Sequence, residues 1–568
     1  MRLKFHTSSP KAGQRGIALA IVLIMSAIAL AILAGVMAWS ATSARLTHRS
    51  IQYTRSVAGA EAATEKVVAR LEHDFFNGGE RTISNNLDSY RQTTTPGTSD
   101  SGYWSTWVFD DGNGNLGQTY IQRSPGQNFV TLSGDYAGLS GYVSIYTVVS
   151  HASDTASPQQ VNAGVMQQIQ LTGIPIFQFM MYGTSNMEIS CGQPFNVTGR
   201  VHANGNLYIE PDSTMDFWSL VHSAQKILFS REPADSRGSP GGSVVYSLSG
   251  QPVSGVPPLN LPIGTADPRQ IIQPPPPGED PNSSLGQLRY YNECNMLVAD
   301  SSSGLTITVG NQLIPSNQVA FLVSDTTNFF DAREGKTVQP IDLDVGNLTI
   351  WGKTNTYIRN PSSVYVLDNR NLPATSLSAV RVKDGMTLPP NGLTVATARP
   401  LYVQGDYNEL NVTNLGTTNT SATLPASLVA DAITVLSDAW QDSNSSSDLS
   451  QRNAASTTVN AAFMTGVVET ANGNYSGGME NFPRFLEGWG SANVFTYNGS
   501  MIKMFPSQYA TNIWGQGNVY NPPARNWAYD INFDDPTKLP PLTPSLLTVA
   551  RGQWKTVAPG QNVASTSP

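Results

Sequence analysis

The pattern of hydrophobic positions divides the chain into an apolar N-terminal segment and a long remainder of short strands. Residues 16–44 carry no charge, and residues 17–39 are almost wholly apolar. A helix of that length spans roughly 34 Å, which is enough to cross a lipid bilayer. The pattern therefore predicts a membrane-spanning helix over residues 17–39.

The predicted helix continues beyond the membrane span. No proline occurs between Pro10 and Pro96. Apolar residues return at spacings of three and four, on one face of a helix, at Ala60, Ala63, Val67, Leu71 and Phe75. Gly78 and Gly79 then supply a stop signal. We expect one helix over residues 17–78, about 90 Å long, that is apolar in its first half and amphipathic in its second.

A basic leader precedes the apolar segment. Residues 1–16 contain no acid and four cations, Arg2, Lys4, Lys11 and Arg15. This bias favours a cytoplasmic N-terminus, although three arginines follow the span, Arg45, Arg49 and Arg55. The apolar stretch is longer than the roughly 7–15 residues of a secretory signal peptide. An uncleaved signal anchor remains an alternative to a cleaved leader.

After the helix the chain favours strands. Residues 103–109 and 119–123 flank the strong turn signal Asp-Asp-Gly-Asn-Gly-Asn, and residues 141–150 and 164–171 follow as two further strands. We expect a small β region over residues 98–175, which forms an α+β unit with the long helix.

Residues 176–550 consist of short, β-branched strands separated about every 8–12 residues by Gly, Asn, Asp or Pro. Because no strict repeat occurs, we prefer an irregular right-handed parallel β-helix, with a β-sandwich as the alternative. A Pro-rich insertion at 251–284 is expected to be solvated rather than part of the core. A loop of disordered composition is expected at 438–453, and an unstructured tail at 555–568.

Composition narrows the classes of function. Only 13% of the 568 residues are charged and 40% are hydrophobic, which excludes charge-rich disorder. The net charge of −8 argues against nucleic-acid binding, and removal of the four leader cations would lower the count of basic residues from 33 to 29 and the net charge to −12. Two cysteines in 568 residues are too few for a disulfide scaffold. Cys191 and Cys294 either pair with each other after export or stay free and buried.

Three segments have some of the features of phosphate or calcium sites. Residues 346–354 (GNLTIWGKT) have five residues between their glycines, where a phosphate-binding loop needs four, so we expect a β-turn with a surface lysine. One calcium candidate has oxygen-bearing side chains at alternate positions, as in an EF-hand loop: Asp442, Asn444, Ser446 and Asp448. It departs from that loop at two positions, because Ser447 replaces the turn glycine and Asn453 replaces the bidentate acid. A tighter oxygen cluster, for which a plain hairpin turn is the alternative, comprises Asp110, Asp111, Asn113 and Asn115.

Other enzymatic and metal sites find little support. The six histidines are scattered, no H-E-x-x-H, C-x-x-C or G-x-S-x-G motif occurs, and His202 is expected to be a hydrogen-bonded turn residue. A β-helix lyase or hydrolase would need paired acids on one face. The candidates are Asp406, Asp431, Asp438 and Glu487, and the alternative is that these carboxylates cap turns. Aromatic residues near the C-terminus either stack on sugars or cap the β domain: Trp489, Tyr497, Trp514, Tyr520, Trp527 and Trp554. We therefore predict no catalytic residue, no metal and no cofactor.

Two stretches of the N-terminal helix carry a resemblance to a known family. They are QRGIALAIVLIMSAIALAILAG, which begins at Gln14, and AGAEAATEKVVARL, which begins at Ala58. They resemble the type IV pilins and, within them, the PilX-type minor pilins. The resemblance implies that a prepilin peptidase removes residues 1–16 at the bond between Gly16 and Ile17. It also implies that the helix then packs with other pilin-like subunits.

The resemblance extends into the β-rich region and has one departure. Residues 199–209, 392–408, 475–489 and 520–530 are similar to segments of large bacterial proteins with a PilX-type N-terminus, which implies a surface or pilus-associated protein without established chemistry. Pilins carry Glu at the fifth mature position, where this chain has Ile21. A carboxylate buried among filament helices is costly unless it is paired. Its absence favours a minor or tip subunit.

The sequence thus predicts a non-enzymatic, single-pass inner-membrane protein with an exported C-terminal region, on a pilus or the cell surface. Its expected partners are pilin-like subunits, prepilin peptidase, the membrane and a surface polymer or carbohydrate, with no nucleic acid. The alternative function is a membrane-tethered carbohydrate-active enzyme on a β-helix. Convergence of Asp406, Asp431 and Glu487 in one cleft would favour that alternative.

Overall fold

The computed structural model describes residues 14–239, 241–247, 252–476, 478–515 and 517–561, with side chains from Ile17 onward. The predicted leader lies largely outside this range, as do residues 562–568 of the predicted tail. The helices are α1 (Gln14–Asn85), α2 (Leu87–Thr93), α3 (Tyr290–Glu293) and α4 (Val345–Thr354).

The strands of the first part of the chain are β1 (Trp107–Asp110), β2 (Tyr120–Arg123), β3 (Asn128–Thr131), β4 (Ser140–Asp154), β5 (Ala163–Pro175), β6 (Met181–Gly183), β7 (Met187–Ile189), β8 (Phe195–Val197), β9 (Val201–Ala203), β10 (Leu207–Ile209), β11 (Thr214–Phe217), β12 (Val221–Ser223), β13 (Ile227–Leu228), β14 (Ser243–Tyr246) and β15 (Val253–Ser254). The later strands are β16 (Met296–Ser301), β17 (Gly304–Val309), β18 (Gln312–Ile314), β19 (Val323–Ser324), β20 (Phe329–Asp331), β21 (Lys336–Asp344), β22 (Ser363–Asp368), β23 (Ser376–Lys383), β24 (Leu393–Thr397), β25 (Leu401–Gln404), β26 (Ala426–Ala430), β27 (Ile433–Leu436), β28 (Thr457–Val467), β29 (Arg484–Phe485), β30 (Val494–Pro506), β31 (Ala524–Tyr529) and β32 (Ser545–Val557).

The long helix packs on an antiparallel sheet in the order β1–β4–β5–β32, and β2 and β3 also pair with β4. The helix is broken at Gly79, whose φ of 68° and ψ of −172° are not helical. The break lies at the glycine pair expected to end the helix, but a helical segment resumes and runs to Asn85. The prediction of a long apolar helix followed by a β-rich region is confirmed.

Parallel pairing dominates the rest of the chain. Each pass from β6 to β15 adds one strand to each of three sheets, formed by β6–β9–β12–β15, β7–β10–β13 and β8–β11–β14. From β21 to β30 the chain alternates between two further parallel ladders, β22–β24–β26–β28–β30 and β21–β23–β25–β27–β29. β30 joins β6 in parallel, with Met501 opposite Met181, so the two stacks share one sheet.

The inward side chains of the stacked strands form one hydrophobic core. Val395 and Phe463 of one ladder and Val382 and Val435 of the other belong to the same buried cluster. A β-sandwich is built from antiparallel sheets, so the alternative interpretation does not describe this region. Parallel stacking is what a β-helix requires, and the right-handed β-helix itself stays a prediction.

Three segment predictions are wrong. The Pro-rich segment is not merely solvated, because four of its apolar side chains enter a buried cluster: Leu259, Leu261, Ile271 and Ile272. The tail does not begin at Lys555, since β32 continues to Val557 and pairs with β5. Residues 346–354 lie in helix α4 rather than in a β-turn, because Asp344 accepts the Asn347 N–H at 2.7 Å and caps the first turn.

The loop at 438–453 is also more ordered than its composition indicates. It forms two short 3-10 turns, Asp442–Asn444 and Leu449–Gln451. Trp440, Ser445 and Arg452 are buried within it. Arg452 donates hydrogen bonds to backbone carbonyls, including that of Asn518 at 2.6 Å, so a buried cation fixes the loop to its neighbours.

Candidate functional site

The N-terminal half of α1 is free of contact with the rest of the chain. Its large apolar side chains, from Ile17 to Ile51, are 50–73% exposed. Among the described residues, one helix is long and apolar enough to cross a membrane, and it is this one. The predicted processing residue Ile17 and the fifth-position residue Ile21 lie on this free half, 62% and 55% exposed, and the backbone of Gly16 is helical.

The second half of α1 is held by the antiparallel sheet. The side chains predicted to form one face are all buried, namely Ala60, Ala63, Val67, Leu71 and Phe75. The lower part of this face packs with side chains of the sheet that include Tyr146, Ile169 and Leu547. The upper part packs beside Trp107, and Gly59 allows a close approach, because a Cβ there would lie 2.2 Å from the Trp107 ring.

Polar contacts mark the point where the helix leaves the sheet. Ser56, which is 2% exposed, donates to the Val161 carbonyl at 2.6 Å. One residue earlier, Arg55 lies 3.2 Å from the Asp154 carboxylate. Residues 17–54 therefore project freely over roughly 57 Å, which exceeds the thickness of a bilayer core.

Two carboxylates fix the other end of the docked helix. The Asp74 carboxylate accepts a hydrogen bond from the Tyr90 hydroxyl at 2.8 Å. The Glu80 carboxylate accepts from the Tyr146 hydroxyl and from Arg123, each at 2.6 Å. Burial raises the pKa of Glu80, but the hydrogen bonds from Tyr146 and Arg123 outweigh it and hold the pKa below its usual value. The charged carboxylate therefore stabilises the helix–sheet contact.

Three of the four candidate catalytic acids lie at the same end of neighbouring parallel strands, whereas Asp431 lies at the opposite end. Asp431 precedes β27. Its carboxylate accepts hydrogen bonds from the Arg269 guanidinium at 3.0 Å and from the backbone N–H groups of Gln508 and Tyr509. Asp406, Asp438 and Glu487 instead follow β25, β27 and β29 by two residues each. The Glu487 carboxylate accepts both the N–H and the hydroxyl of Ser437 at 2.7 Å. Asp431 and Glu487 thus have the capping partners of structural carboxylates.

The calcium candidates are similarly engaged by the protein. Asp111 accepts hydrogen bonds from the backbone and side chains of Asn113 and Asn115, as a hairpin turn requires. Asp442 is paired with Arg381 at 2.7 Å. Within the described ranges, no group of three or more His, Cys, Asp or Glu side chains is placed to hold a metal ion.

The remaining candidates lie in the core. His202 is a strand residue rather than a turn residue, fully buried in β9, with Nε2 3.0 Å from the Asn204 amide oxygen. Cys191 and Cys294 are free thiols. Four of the six C-terminal aromatic residues are at most 5% exposed and cannot stack on sugars: Trp489, Tyr497, Tyr520 and Trp527. Trp554 is 46% exposed on β32, and Trp514 is half-buried.

Sequence reasoning missed β32, which completes the sheet under the helix. The alternation in SLLTVARGQWKTV was a signal for it, but Arg551 and Gly552 interrupt the pattern at a bulge. It also missed the role of Gly59, for which no sequence signal exists, because the ring that it admits belongs to Trp107 in another element.

Comparisons with known proteins add little. No family model and no curated protein matches the sequence. Among solved structures, the chain is similar to the competence-associated pilin ComZ from Thermus thermophilus, at 11% sequence identity over 89% of this chain and 97% of that chain, with a TM-score of 0.27. Values this low bear on neither fold nor function.

Proposed function

We propose that the chain is a non-enzymatic, PilX-type minor pilin or pseudopilin-like envelope protein. Helix α1 anchors it in the inner membrane and then packs among the helices of other pilin-like subunits. The β-rich region is displayed outside the membrane for pilus assembly or adhesion to a surface polymer. The observation that carries the proposal is the division of α1 into a free apolar half and a half docked on an antiparallel sheet.

The free half needs an apolar environment on all its sides. Burial of a large apolar side chain contributes about 1.5–3 kcal/mol, and α1 exposes such side chains around its whole circumference from Ile17 to Trp39. A helix that packs on one partner buries only one stripe. A bilayer surrounds the helix completely, and a bundle of apolar helices from other pilin-like subunits also covers it on several sides. The proposed transfer from membrane to filament therefore keeps the free half in an apolar environment.

The charge pattern supports a minor position. The first acidic residue of the chain is Glu61, and Ile21 stands where a pilin glutamate would lie. A subunit without that carboxylate cannot pair it with the terminal amine of a neighbour. We infer that the chain occupies a tip or other minor position, and that prepilin peptidase removes the basic leader first.

Cleavage between Gly16 and Ile17 tests the proposal directly. The full chain is expressed with and without a prepilin peptidase, and the N-terminus of the membrane fraction is read by mass spectrometry. With the peptidase we expect a mature chain that begins at Ile17. Gly16→Glu should keep the leader, because the residue before the cleaved bond is changed.

Gly13→Glu provides the matched control, since it adds the same charge three residues upstream of the bond. It should be processed like the natural chain. An intact leader in the natural chain despite an active peptidase would overturn the proposal in favour of an uncleaved signal anchor.

A further inference from the structure

The Pro-rich segment forms one wall of a cleft on the parallel stack. Arg269 of this segment is 5% exposed and donates to Asp431 at 3.0 Å. Three residues later, the Ile272 carbonyl accepts the Tyr365 hydroxyl at 2.7 Å. These two contacts hold residues 269–274 against strand β22 and the turn between β26 and β27. The prolines beyond Gln273 remove backbone donors and stiffen this wall.

The cleft has a volume of about 270 Å³. Its other walls come from the turns after β22 and β24 and from the loop after β30. The lining side chains used below are Gln273, Asn369, Arg399, Gln508 and Tyr509. The three amides make no side-chain hydrogen bond within the described part of the chain, so their donors and acceptors are available to a ligand.

Arg399 differs from the other arginines around the cleft. Its guanidinium lies 4.5 Å over the Tyr509 ring, and its Nη2 donates to the Asp368 carbonyl at 3.1 Å. No carboxylate pairs with it among the residues that the structure describes. The ring and the carbonyl fix the plane of the guanidinium while most of its donors stay unused.

The acidic groups beside the cleft are already held by other arginines. The Asp368 side chain is inaccessible and is paired with Arg370 at 2.6 Å, and the same arginine also contacts the buried Asp300 at 3.2 Å. Asp431 is equally inaccessible and is paired with Arg269. Arg399 is thus the arginine of this cleft that has no carboxylate partner in the described chain, and the inaccessible Asp368 and Asp431 carboxylates do not contact an anion in the cleft.

We propose that this cleft binds a carboxylated sugar ring, the hexuronate unit of an acidic polysaccharide. A planar guanidinium matches a carboxylate with two parallel hydrogen bonds. The amides suit the ring hydroxyls. Ligand pockets are roughly 300–1,000 Å³, so a cleft just below that range holds one ring rather than an extended chain. The inference rests on the proposed display of the β-rich region outside the membrane and not on leader processing.

Binding of defined oligosaccharides to the full chain in detergent tests this inference. Calorimetric titration with a galacturonate trimer, repeated with a glucuronate trimer, is compared with titration by a neutral galactose trimer. The natural chain should bind the acidic trimer only, with an affinity that falls as salt is raised. Arg399→Gln should weaken binding tenfold or more. The affinity of Arg399→Lys should lie between those of the natural chain and Arg399→Gln, because lysine keeps the charge but loses the planar pair of donors.

Two further variants separate recognition from folding. Arg200→Gln is the matched control: Arg200 is half-buried, pairs with no carboxylate in the described chain and donates to the Ala137 carbonyl at 2.9 Å, away from the cleft. It should bind like the natural chain. Gln508→Ala removes an exposed amide and is expected to fold and to bind several-fold more weakly, which keeps the test valid if Arg399→Gln unfolds.

Three outcomes would overturn the inference. They are failure of the natural chain to bind galacturonate or glucuronate trimers, equal binding of the neutral trimer, and unchanged binding in folded Arg399→Gln and Gln508→Ala. None of them alters the result of the leader-cleavage experiment, so the two proposals fail independently.

Discussion

Glu65 of α1 and Arg551 of β32 form a bidentate ion pair, with Nη1–Oε1 and Nη2–Oε2 distances of 2.5 and 2.8 Å, although 486 residues separate them. Both side chains are about half exposed, and exposed pairs contribute only about 0–1 kcal/mol. The relationship matters because it places the last strand of the chain beside its first helix. The sheet that holds helix α1 is complete only when β32 has paired with β5.

We expect the apolar contact of β32, rather than this ion pair, to hold the helix in place. Leu547 is 4% exposed and packs in the cluster that buries Val67 and Leu71. Leu547→Ala should lower the free energy of unfolding by about 2–5 kcal/mol, whereas Arg551→Ala should change it by less than about 1 kcal/mol. Urea unfolding of the full chain in detergent measures both. Equal effects of the two variants would contradict the prediction.

A second prediction concerns the close approach of helix and ring at Gly59. Alanine normally stabilises a helix interior over glycine by about 1 kcal/mol. At Gly59 the added Cβ would meet the buried Trp107 ring at 2.2 Å, so we expect Gly59→Ala to destabilise the chain and to shift tryptophan fluorescence. Gly35→Ala is the control, because no atom lies within 4 Å of a Cβ there. An unchanged melting temperature in Gly59→Ala would contradict this contact.

The features that could be predicted from sequence are those in which apolar residues repeat at a regular spacing within one element. The spacing of Ala60, Ala63 and Val67 specifies a buried helix face, and the uninterrupted apolar run before it specifies a free one. Helix α4 was missed because its two glycines, within a strand-like run, favoured a β-turn, while the signal that decides it is one capping carboxylate, Asp344. A capping hydrogen bond of this kind can outweigh the local preference of the residues for another structure.

The features that could not be predicted depend on residues distant in sequence. Pairing of β32 with β5 joins segments more than 350 residues apart, and no local pattern reports such a partner. The cleft around Arg399 is assembled from the Pro-rich segment and from turns after three separate strands. In the Pro-rich segment, Leu259, Leu261, Ile271 and Ile272 were the available signal for burial, and proline content outweighed it in our interpretation.

The two cysteines provide a third prediction, since the sequence allowed either a disulfide or free thiols. Cys191 is fully buried in the main core, and Cys294 is partly buried against a different cluster. Burial raises the pKa of each thiol to about 12, so both should react slowly with iodoacetamide in the folded chain. Unfolding without reductant should expose two alkylatable thiols by mass spectrometry. Recovery of an unlabelled, linked pair would contradict the prediction.

Glu487 gives the fold a pH dependence that can be isolated. The side chain is 1% exposed, and burial raises its pKa to about 7, although hydrogen bonds from Ser437 and the charge of Arg452 oppose the rise. A carboxyl whose pKa is higher in the folded than in the unfolded state binds its proton first in the folded state. Protonation of Glu487 therefore increases the free energy of unfolding as the pH falls from above 7 toward 4.5, the ordinary pKa of a glutamate. The total increase is up to about 3 kcal/mol.

Replacement of Glu487 by glutamine removes that titration and leaves one carbonyl acceptor for Ser437. Between pH 8 and pH 6, the natural chain should gain about 1 kcal/mol more stability than Glu487→Gln, as measured by urea unfolding at each pH. Glu80→Gln is the control: the pKa of Glu80 is lowered, so its titration lies below pH 4.5 and its loss should leave the slope between pH 8 and 6 unchanged. A slope that is the same in the natural chain and in Glu487→Gln would mean that Glu487 is already ionised at pH 6 in the folded protein.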